Sequence, residues 1–140
     1  GADYYCVHVE ACKHLHRTLS LISKTSMAPG VVLNFSTPLS FIEYVINDIE
    51  MVVLMAINPG IVGHKTIPGI YDKISELNEM LIKHGREDII IEVDGGVTMQ
   101  TAKPMFEAGA DLLVCGTGTI FRPKEDTIQN KVNLFRSLFK

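Results

Sequence analysis

The chain has 140 residues, of which 46% are hydrophobic and 21% are charged, and its formal net charge is −3. This length suits one domain with a real hydrophobic core, and the scattered Lys and Arg argue against a nucleic-acid or membrane partner. No stretch predicts a membrane-spanning helix, and the opening sequence GADYYCVHVE lacks the pattern of a secretory signal. Because the first residue is Gly1 and not Met, we expect the sequence to start inside a longer chain.

Short apolar runs alternate along the chain with longer segments of helical period. Strands are predicted at residues 4–10, 30–35, 51–57, 89–94 and 111–116. Helices are predicted between and after them, at residues 13–25, 38–47, 69–84, 99–109 and 126–139. The strand runs are nearly continuous in apolar residues, which is typical of parallel strands covered on both faces.

The predicted helices have apolar faces and recognisable ends. In the second helix the buried face is predicted to contain Leu39, Ile42, Val45 and Ile46, and in the third it is predicted to contain Ile70, Ile74, Leu77, Leu81 and Ile82. Gly85 is placed to end the third helix. Thr98 is a candidate N-cap for the fourth helix, and Pro104 is expected to kink it.

Five βα units are compatible with two architectures. One is a five-stranded, doubly wound open sheet, which this length fits. The other is part of a (β/α)8 barrel, whose complete form needs about 250 residues. The pattern alone does not choose between them, but in both folds the chemistry lies at the carboxyl ends of the strands.

The segment IIIEVDGGV places an acid, Asp94, at the end of an apolar strand and two glycines directly after it. In a purely structural role Asp94 would be a turn residue or would cap the next helix. In a functional role it would be a general acid/base or a metal ligand at the mouth of the sheet. Position alone favours neither role.

Three successive predicted strands end in glycine-containing turns, with Gly60 to Gly63, Gly95 and Gly96, and Gly116 to Gly118. Glycine lets backbone N–H groups approach an anion closely, so the three turns, with the hydroxyl of Thr117, predict a phosphate site. GTGTIF lacks the spacing of a dinucleotide fingerprint.

His8 is interpreted as a structural strand residue and Met55 as a core residue, with a ligand-lining role the less favoured alternative for Met55.

Several segments in this order resemble the ribulose-phosphate 3-epimerase family over essentially the whole chain. They are VHVEA, VVLNFSTPL, IEYVINDIEMVVLMAINPG, IPGIYDKISEL, IEVDGGV and EAGADLLVCGTGTIF. The resemblance implies a (β/α)8 barrel of which this chain covers strands four to eight, so that residues 1–140 are the C-terminal part of one barrel domain.

The family interconverts D-ribulose 5-phosphate and D-xylulose 5-phosphate at C3 by proton transfer between two Asp residues. It uses a divalent metal, such as Zn, Fe, Mn or Co, held by two His and both Asp. By resemblance, Asp94 is one catalytic acid and a metal ligand, and Met55 packs near the reacting carbons. The phosphate and substrate contacts would be Gly60, Ile61, Val62, Gly63, Gly95, Gly96, Gly116 and Thr117. We also expect a cytoplasmic homo-oligomer. Its three cysteines, Cys6, Cys12 and Cys115, are odd in number and lack C-x-x-C spacing, which predicts that they are reduced.

Two departures from the family pattern keep alternatives open. The loop Asn58 to His64 has Val62 where the family has glycine, and His64 adds a possible donor, so another ketose phosphate such as D-allulose 6-phosphate is an alternative substrate. Strands one to three, with the second Asp, both metal-binding His and a substrate-binding Ser, are absent from the sequence. We therefore expect residues 1–140 alone to be an inactive phosphate-binding fragment that self-associates through its free strand edges.

Overall fold

A computed structural model describes residues 1–60, 63, 65–121 and 126–139 of the chain. These residues contain one parallel sheet with the strands β1 Tyr4–His8, β2 Ala28–Leu33, β3 Met51–Met55, β4 Ile90–Asp94 and β5 Leu112–Leu113. The α-helices are α1 Leu15–Ile22, α2 Ile70–Lys83, α3 Ala102–Glu107 and α4 Ile128–Arg136. Three 3-10 helices span Val9–Ala11, Leu39–Asp48 and Ser137–Phe139.

The strand order separates the two predicted architectures. Each strand pairs in parallel with the next one along the chain, so the order is β1-β2-β3-β4-β5 without a reversal. A doubly wound sheet reverses its strand order at a switch point, whereas a barrel adds its strands in sequence. The chain is therefore a partial (β/α)8 barrel, and the open-sheet alternative is wrong.

One face of the sheet packs against the helices and forms the main core. Outward-facing strand residues such as Leu33, Leu54 and Val93 are fully buried there. The helices supply the facing side chains, among them Leu19, Ile42, Ile70, Ile74, Leu77, Leu81 and Met105. The predicted helix faces are confirmed with one exception, because Ile82 is 53% exposed.

The opposite face, called here the inner face, carries the alternate strand residues. The parallel register sets Cys6, Gly30, Met51 and Ile90 in one row across the sheet. The next row contains His8, Val32, Val53, Glu92 and Leu112, and Met55 pairs with Asp94 in the row above it. A second, smaller apolar cluster of Val32, Met51, Val53 and Met55 lies on this face.

Local structure departs from the sequence prediction in the second and fourth predicted helices. Residues Leu39–Asp48 form a 3-10 helix instead of an α-helix, and the segment is rich in β-branched and aromatic residues, which are weak α-helix formers. The fourth predicted helix starts later, at Ala102, while the Thr98 hydroxyl accepts from the Thr101 N–H (3.2 Å) and caps the turn before it. Pro104 lies in the first turn of α3, where its missing N–H removes no helical hydrogen bond.

No helix in the described part of the chain is both long and apolar enough to cross a bilayer.

Candidate functional site

A cavity of about 990 Å³ opens at the carboxyl edge of β3, β4 and β5. The structure brings most of the predicted site residues to its walls, namely Gly60, Gly63, Asp94, Gly95, Gly96, Gly116 and Thr117. Lys65, Thr66 and Tyr71 also line it. Ile61 and Val62, which were predicted to join this site, lie outside the described residues, as does His64.

Hydrogen bonds fasten the loop after β3 to the loop after β4. The Thr66 hydroxyl donates to the Gly96 carbonyl (2.8 Å), and the Thr101 hydroxyl donates to the same oxygen (2.8 Å). At the base of the loops the Ala56 N–H donates to the Asp94 carbonyl (2.8 Å). These bonds fix the Asp94-Gly95-Gly96 turn in place without using the Asp94 carboxylate.

Glycine at positions 95 and 96 is required by the backbone itself. Gly95 and Gly96 have φ angles of +97° and +64°, a region that other residues rarely adopt. A Cβ at Gly95 would collide with Ile57, and a Cβ at Gly96 would collide with Thr66. Gly116 is different, because a Cβ there would meet no atom within 4 Å.

The cavity wall offers hydrogen-bond donors suited to an anion. Among the described residues, no internal hydrogen bond uses the backbone N–H of Gly96, Gly116 or Thr117. The side chain of Lys65 adds a positive charge to the same wall. Backbone N–H groups in a glycine-rich concavity together with one ammonium group are a recurrent arrangement for binding phosphate.

A second cavity of about 540 Å³ lies on the inner face of the sheet and shares Asp94 with the first. Its polar wall residues include His8, Glu92 and Asp94, and Met55 lies beside Asp94 in the register. The remaining wall is formed by Tyr4, Cys6, Val32, Met51, Val53, Ile90 and Leu112. Asp94 therefore sits where a donor-rich cavity meets a largely apolar one.

Burial changes the acid–base properties of the inner face. Burial, and then the charge of Asp94, raise the pKa of Glu92 above its usual value. Burial, and then the charge of Glu92, raise the pKa of the Cys6 thiol to about 11. Cys6 is therefore a neutral thiol at physiological pH, and Cys6, Cys12 and Cys115 are free and partly buried.

The described residues do not by themselves fit a metal centre. Within them no three His, Cys, Asp or Glu side chains lie together as a metal-binding group. Asp94 and Glu92 lie on the same face of β4, and a divalent cation usually needs more ligands than such a pair provides.

Sequence reasoning did not single out Lys65, Thr66 and Tyr71 as lining residues of the carboxyl-edge cavity. Lys65 directly follows the predicted glycine turn, and a cation at that position is the signal that could have found it. Tyr71 lies on α2, and only the packing of that helix onto the sheet places it at the cavity. His8 was interpreted as a structural residue, and its place in the inner cavity follows from the strand register.

The sequential parallel sheet and the cavity at its carboxyl edge define a protein of the (β/α)8-barrel class. Within that class, the chain belongs to the ribulose-phosphate 3 epimerase family, whose sequence model matches residues 1–121. The predicted family is thereby confirmed, although the match ends before the last helix, α4.

Relatives in bacteria and plants support the same family. Over 117 residues the chain is 50% identical to ribulose-phosphate 3-epimerase of Bacillus subtilis, a match that covers 84% of this chain and 54% of the relative. It is 39% identical to the Serratia marcescens ribulose-phosphate 3-epimerase over 88% of this chain and 58% of the relative. It is 44% identical to the chloroplastic ribulose-5-phosphate-3-epimerase of Arabidopsis thaliana over 89% of this chain and 44% of the relative. The chain thus spans about half the length of the curated relatives it matches.

Proposed function

We propose that the protein containing this chain is a ribulose-phosphate 3-epimerase that interconverts D-ribulose 5-phosphate and D-xylulose 5-phosphate. One observation carries the proposal within the family: Asp94 lines both cavities. A sugar phosphate with its phosphate in the donor-rich cavity would extend past Asp94 into the apolar inner cavity. This chain would then contribute the phosphate site and one of two acid/base groups.

The phosphate half of the site would bind by backbone donation. The N–H groups of Gly96, Gly116 and Thr117 would donate to phosphate oxygens, and Lys65 would offset part of the negative charge. Gly60 and Gly63 lie on the same wall, and we propose that Ile61 and Val62 contact the substrate from the same loop. Gly95 would keep the turn in the conformation that directs Asp94 toward the ligand.

The chemistry of epimerisation assigns a specific task to Asp94. Its carboxylate would take the proton from C3 on one face of the sugar, which leaves an enediolate that is reprotonated at C3 from the opposite face. This reprotonation gives the other epimer, and the same two proton transfers in reverse order would regenerate the starting sugar. The second acid/base would come from the part of the barrel that this chain does not span. Met55, beside Asp94, would exclude water from the reacting carbons.

We propose further that a divalent metal ion, Zn, Fe, Mn or Co, belongs to the complete enzyme, with Asp94 as the one ligand from this chain. Because the described residues lack a metal-binding group, the other ligands would come from outside the chain. We also propose a cytoplasmic homo-oligomer. The three free cysteines agree with a reducing compartment, and Tyr44, 97% exposed, and Phe41, 59% exposed, offer apolar surface for association.

The test is an epimerase assay of the encoded protein with D-ribulose 5-phosphate, with metal content measured in parallel. We expect turnover of this substrate to exceed that of D-allulose 6-phosphate, and we expect Asp94→Asn to abolish most of it. Turnover of the hexulose phosphate alone would replace the proposed substrate. The absence of turnover with either sugar in a folded, metal-supplemented protein would refute the proposed activity.

A further inference from the structure

His8 occupies a position on the inner face that the proposed proton transfer does not use. It ends β1, and its ring lines the inner cavity that also contains Met55 and Asp94. The register sets His8 level with Glu92, one row below Asp94. β1 and β4 are three strand spacings apart, about 14 Å along the sheet, so a ligand lying over β2 and β3 would have His8 on one side and Asp94 on the other.

The imidazole of His8 is held by a carboxylate two residues further along. Its Nδ1 lies 3.2 Å from the Glu10 Oε2. The other oxygen of Glu10 accepts from the Asn34 N–H (3.1 Å) and from the Thr37 hydroxyl. Glu10 thereby joins the end of β1 to the loop that follows β2, and Lys73 holds that loop from α2 by donating to three of its carbonyls.

The hydrogen bonds to Glu10 determine which nitrogen of His8 carries the proton. Burial opposes ionisation of Glu10, but the bonds from Thr37, Asn34 and His8 outweigh it and lower its pKa to about 2. An ionised carboxylate only accepts hydrogen bonds, so the Nδ1 of His8 must be the donor. In the neutral ring Nε2 is then an unprotonated acceptor, and no hydrogen bond from a described residue reaches it.

We propose that His8 is a substrate-binding residue whose Nε2 accepts a hydrogen bond from a hydroxyl group of the sugar-phosphate chain, and that Glu10 is the positioning residue that sets its tautomer. This inference rests on the proposed function. The cavity chemistry supports it, because the wall between His8 and Asp94 is formed mainly by Val32, Val53 and Met55, which offer a polyol chain no strong acceptor. A chain with several hydroxyl groups needs acceptors on both sides of such a wall.

Two substitutions of His8 separate binding from structure. His8→Asn places an amide near the Nδ1 position and keeps a donor for Glu10, but it removes the Nε2 acceptor. His8→Gln places its amide near the Nε2 position and gives up the donor to Glu10. In the encoded protein we expect His8→Asn to raise KM for D-ribulose 5-phosphate about tenfold, the scale of one lost hydrogen bond, with an unchanged melting temperature. We expect His8→Gln to keep KM within about threefold while lowering the melting temperature.

If His8 had only a structural role, His8→Asn would have a normal KM, and His8→Gln would be impaired only through its lower stability. His84→Asn, at the exposed end of α2, is the matched control and should leave KM and melting temperature unchanged. Normal kinetics in His8→Asn beside an active wild type would overturn this inference and leave the proposed function standing. An inactive wild type would refute the proposed function, and this inference with it.

The tautomer provides a readout that does not depend on activity. In ¹⁵N spectra of the imidazole rings near pH 8, His8 should carry its proton on Nδ1, and Glu10→Gln should change that signal. The Nε2 signal, assigned to His8 by its absence from the spectrum of His8→Asn, should shift on addition of D-ribulose 5-phosphate to the wild type. A proton on Nε2 in the wild type, or an Nε2 signal that ignores the sugar phosphate, would contradict the assignment even if both variants fold poorly.

Discussion

The two faces of the sheet differ, because one forms the main core and the other lines a cavity. On the outer face, Leu33, Leu54 and Val93 are fully buried beneath the helices and belong to the main core. On the inner face, His8 at the end of β1 and Glu92 and Asp94 on either side of Val93 line a cavity. Because successive strand residues point to opposite faces, Val93 on β4 lies in the core while the next residue, Asp94, lines the candidate site.

This division explains why the strands read as nearly continuous apolar runs although only one face is packed by helices. The inner face of β3 is also apolar, with Met51, Val53 and Met55 all at least 91% buried and packed with Val32 in the smaller cluster. The polar side chains of the inner face lie on β1 (His8) and β4 (Glu92 and Asp94). Substitutions on the outer face should therefore change stability, and substitutions on the inner face should change catalysis.

The largest effect is expected at Asp94. Asp94→Asn keeps the shape of the side chain but removes the proton acceptor, so turnover of D-ribulose 5-phosphate should fall at least about a hundredfold. The melting temperature should change little, because the bonds that fix this turn use the Asp94 carbonyl and not its carboxylate. Steady-state kinetics and a thermal melt of the encoded protein check both parts. Near-normal turnover would remove Asp94 from the mechanism.

The opposite behaviour is expected one strand away on the outer face. Leu54→Ala leaves a cavity in the main core and should lower the free energy of unfolding by about 2–5 kcal/mol. Denaturant unfolding measures the loss, and KM of the fraction that remains folded should match the wild type. A large change in KM with normal stability would show that the two faces are not functionally separate.

Two glycines of the carboxyl-edge cavity should respond differently to the same substitution. Gly116→Ala meets no neighbouring atom, so it should leave stability unchanged and raise KM about tenfold by displacing the phosphate. Gly96→Ala must adopt a left-handed conformation and collides with Thr66, so it should also lower the melting temperature. Equal stability losses in the two variants would argue that Gly116 has a folding role, and an unchanged KM in Gly116→Ala would argue against a phosphate there.

The smallest effect concerns the pH dependence of the link between β1 and the β2 loop. The pKa of Glu10 falls from 4.5 to about 2 in the folded chain, so its stabilising bonds are fully present above pH 4.5. They are lost as the pH falls through the folded value. The wild type should therefore be more stable than Glu10→Gln at pH 7, and this advantage should shrink between pH 4.5 and 2. Thermal melts of both proteins across this pH range measure the difference in stability. A difference that does not change with pH would show that Glu10 is not ionised as proposed.

Most of the fold could be predicted from periodicity and glycine positions, while element ends and cross-element contacts could not. The run at residues 111–116 predicted a strand of six residues, but the strand is only Leu112–Leu113, although the flanking N–H groups of Asp111 and Val114 also donate to β4 carbonyls. The turn residues Gly85 and Gly109 have the positive φ angles expected at helix ends. Local pattern did not choose between a barrel and an open sheet, the family resemblance predicted the barrel, and the strand order confirms it.

The candidate site was partly predictable for a simple reason. Parallel strands bring all their carboxyl ends to one edge, so the turns at Gly60, Gly95 and Gly116 had to converge. The contacts of His8 could not be predicted, because they depend on the 3-10 turn Val9–Ala11 that brings Glu10 back to the imidazole. The roles of the converging residues remain predictions that ligand-bound measurements must test.

The most direct test of the central claim is a crystal structure of the encoded protein with D-ribulose 5-phosphate. We expect phosphate oxygens within hydrogen-bonding distance of the N–H groups of Gly96, Gly116 and Thr117. We expect the Asp94 carboxylate within reach of the hydrogen on C3, with Met55 packed against the reacting carbons. A phosphate bound elsewhere, or a sugar whose C3 lies beyond the reach of Asp94, would contradict the claim that these two adjoining cavities form the active site.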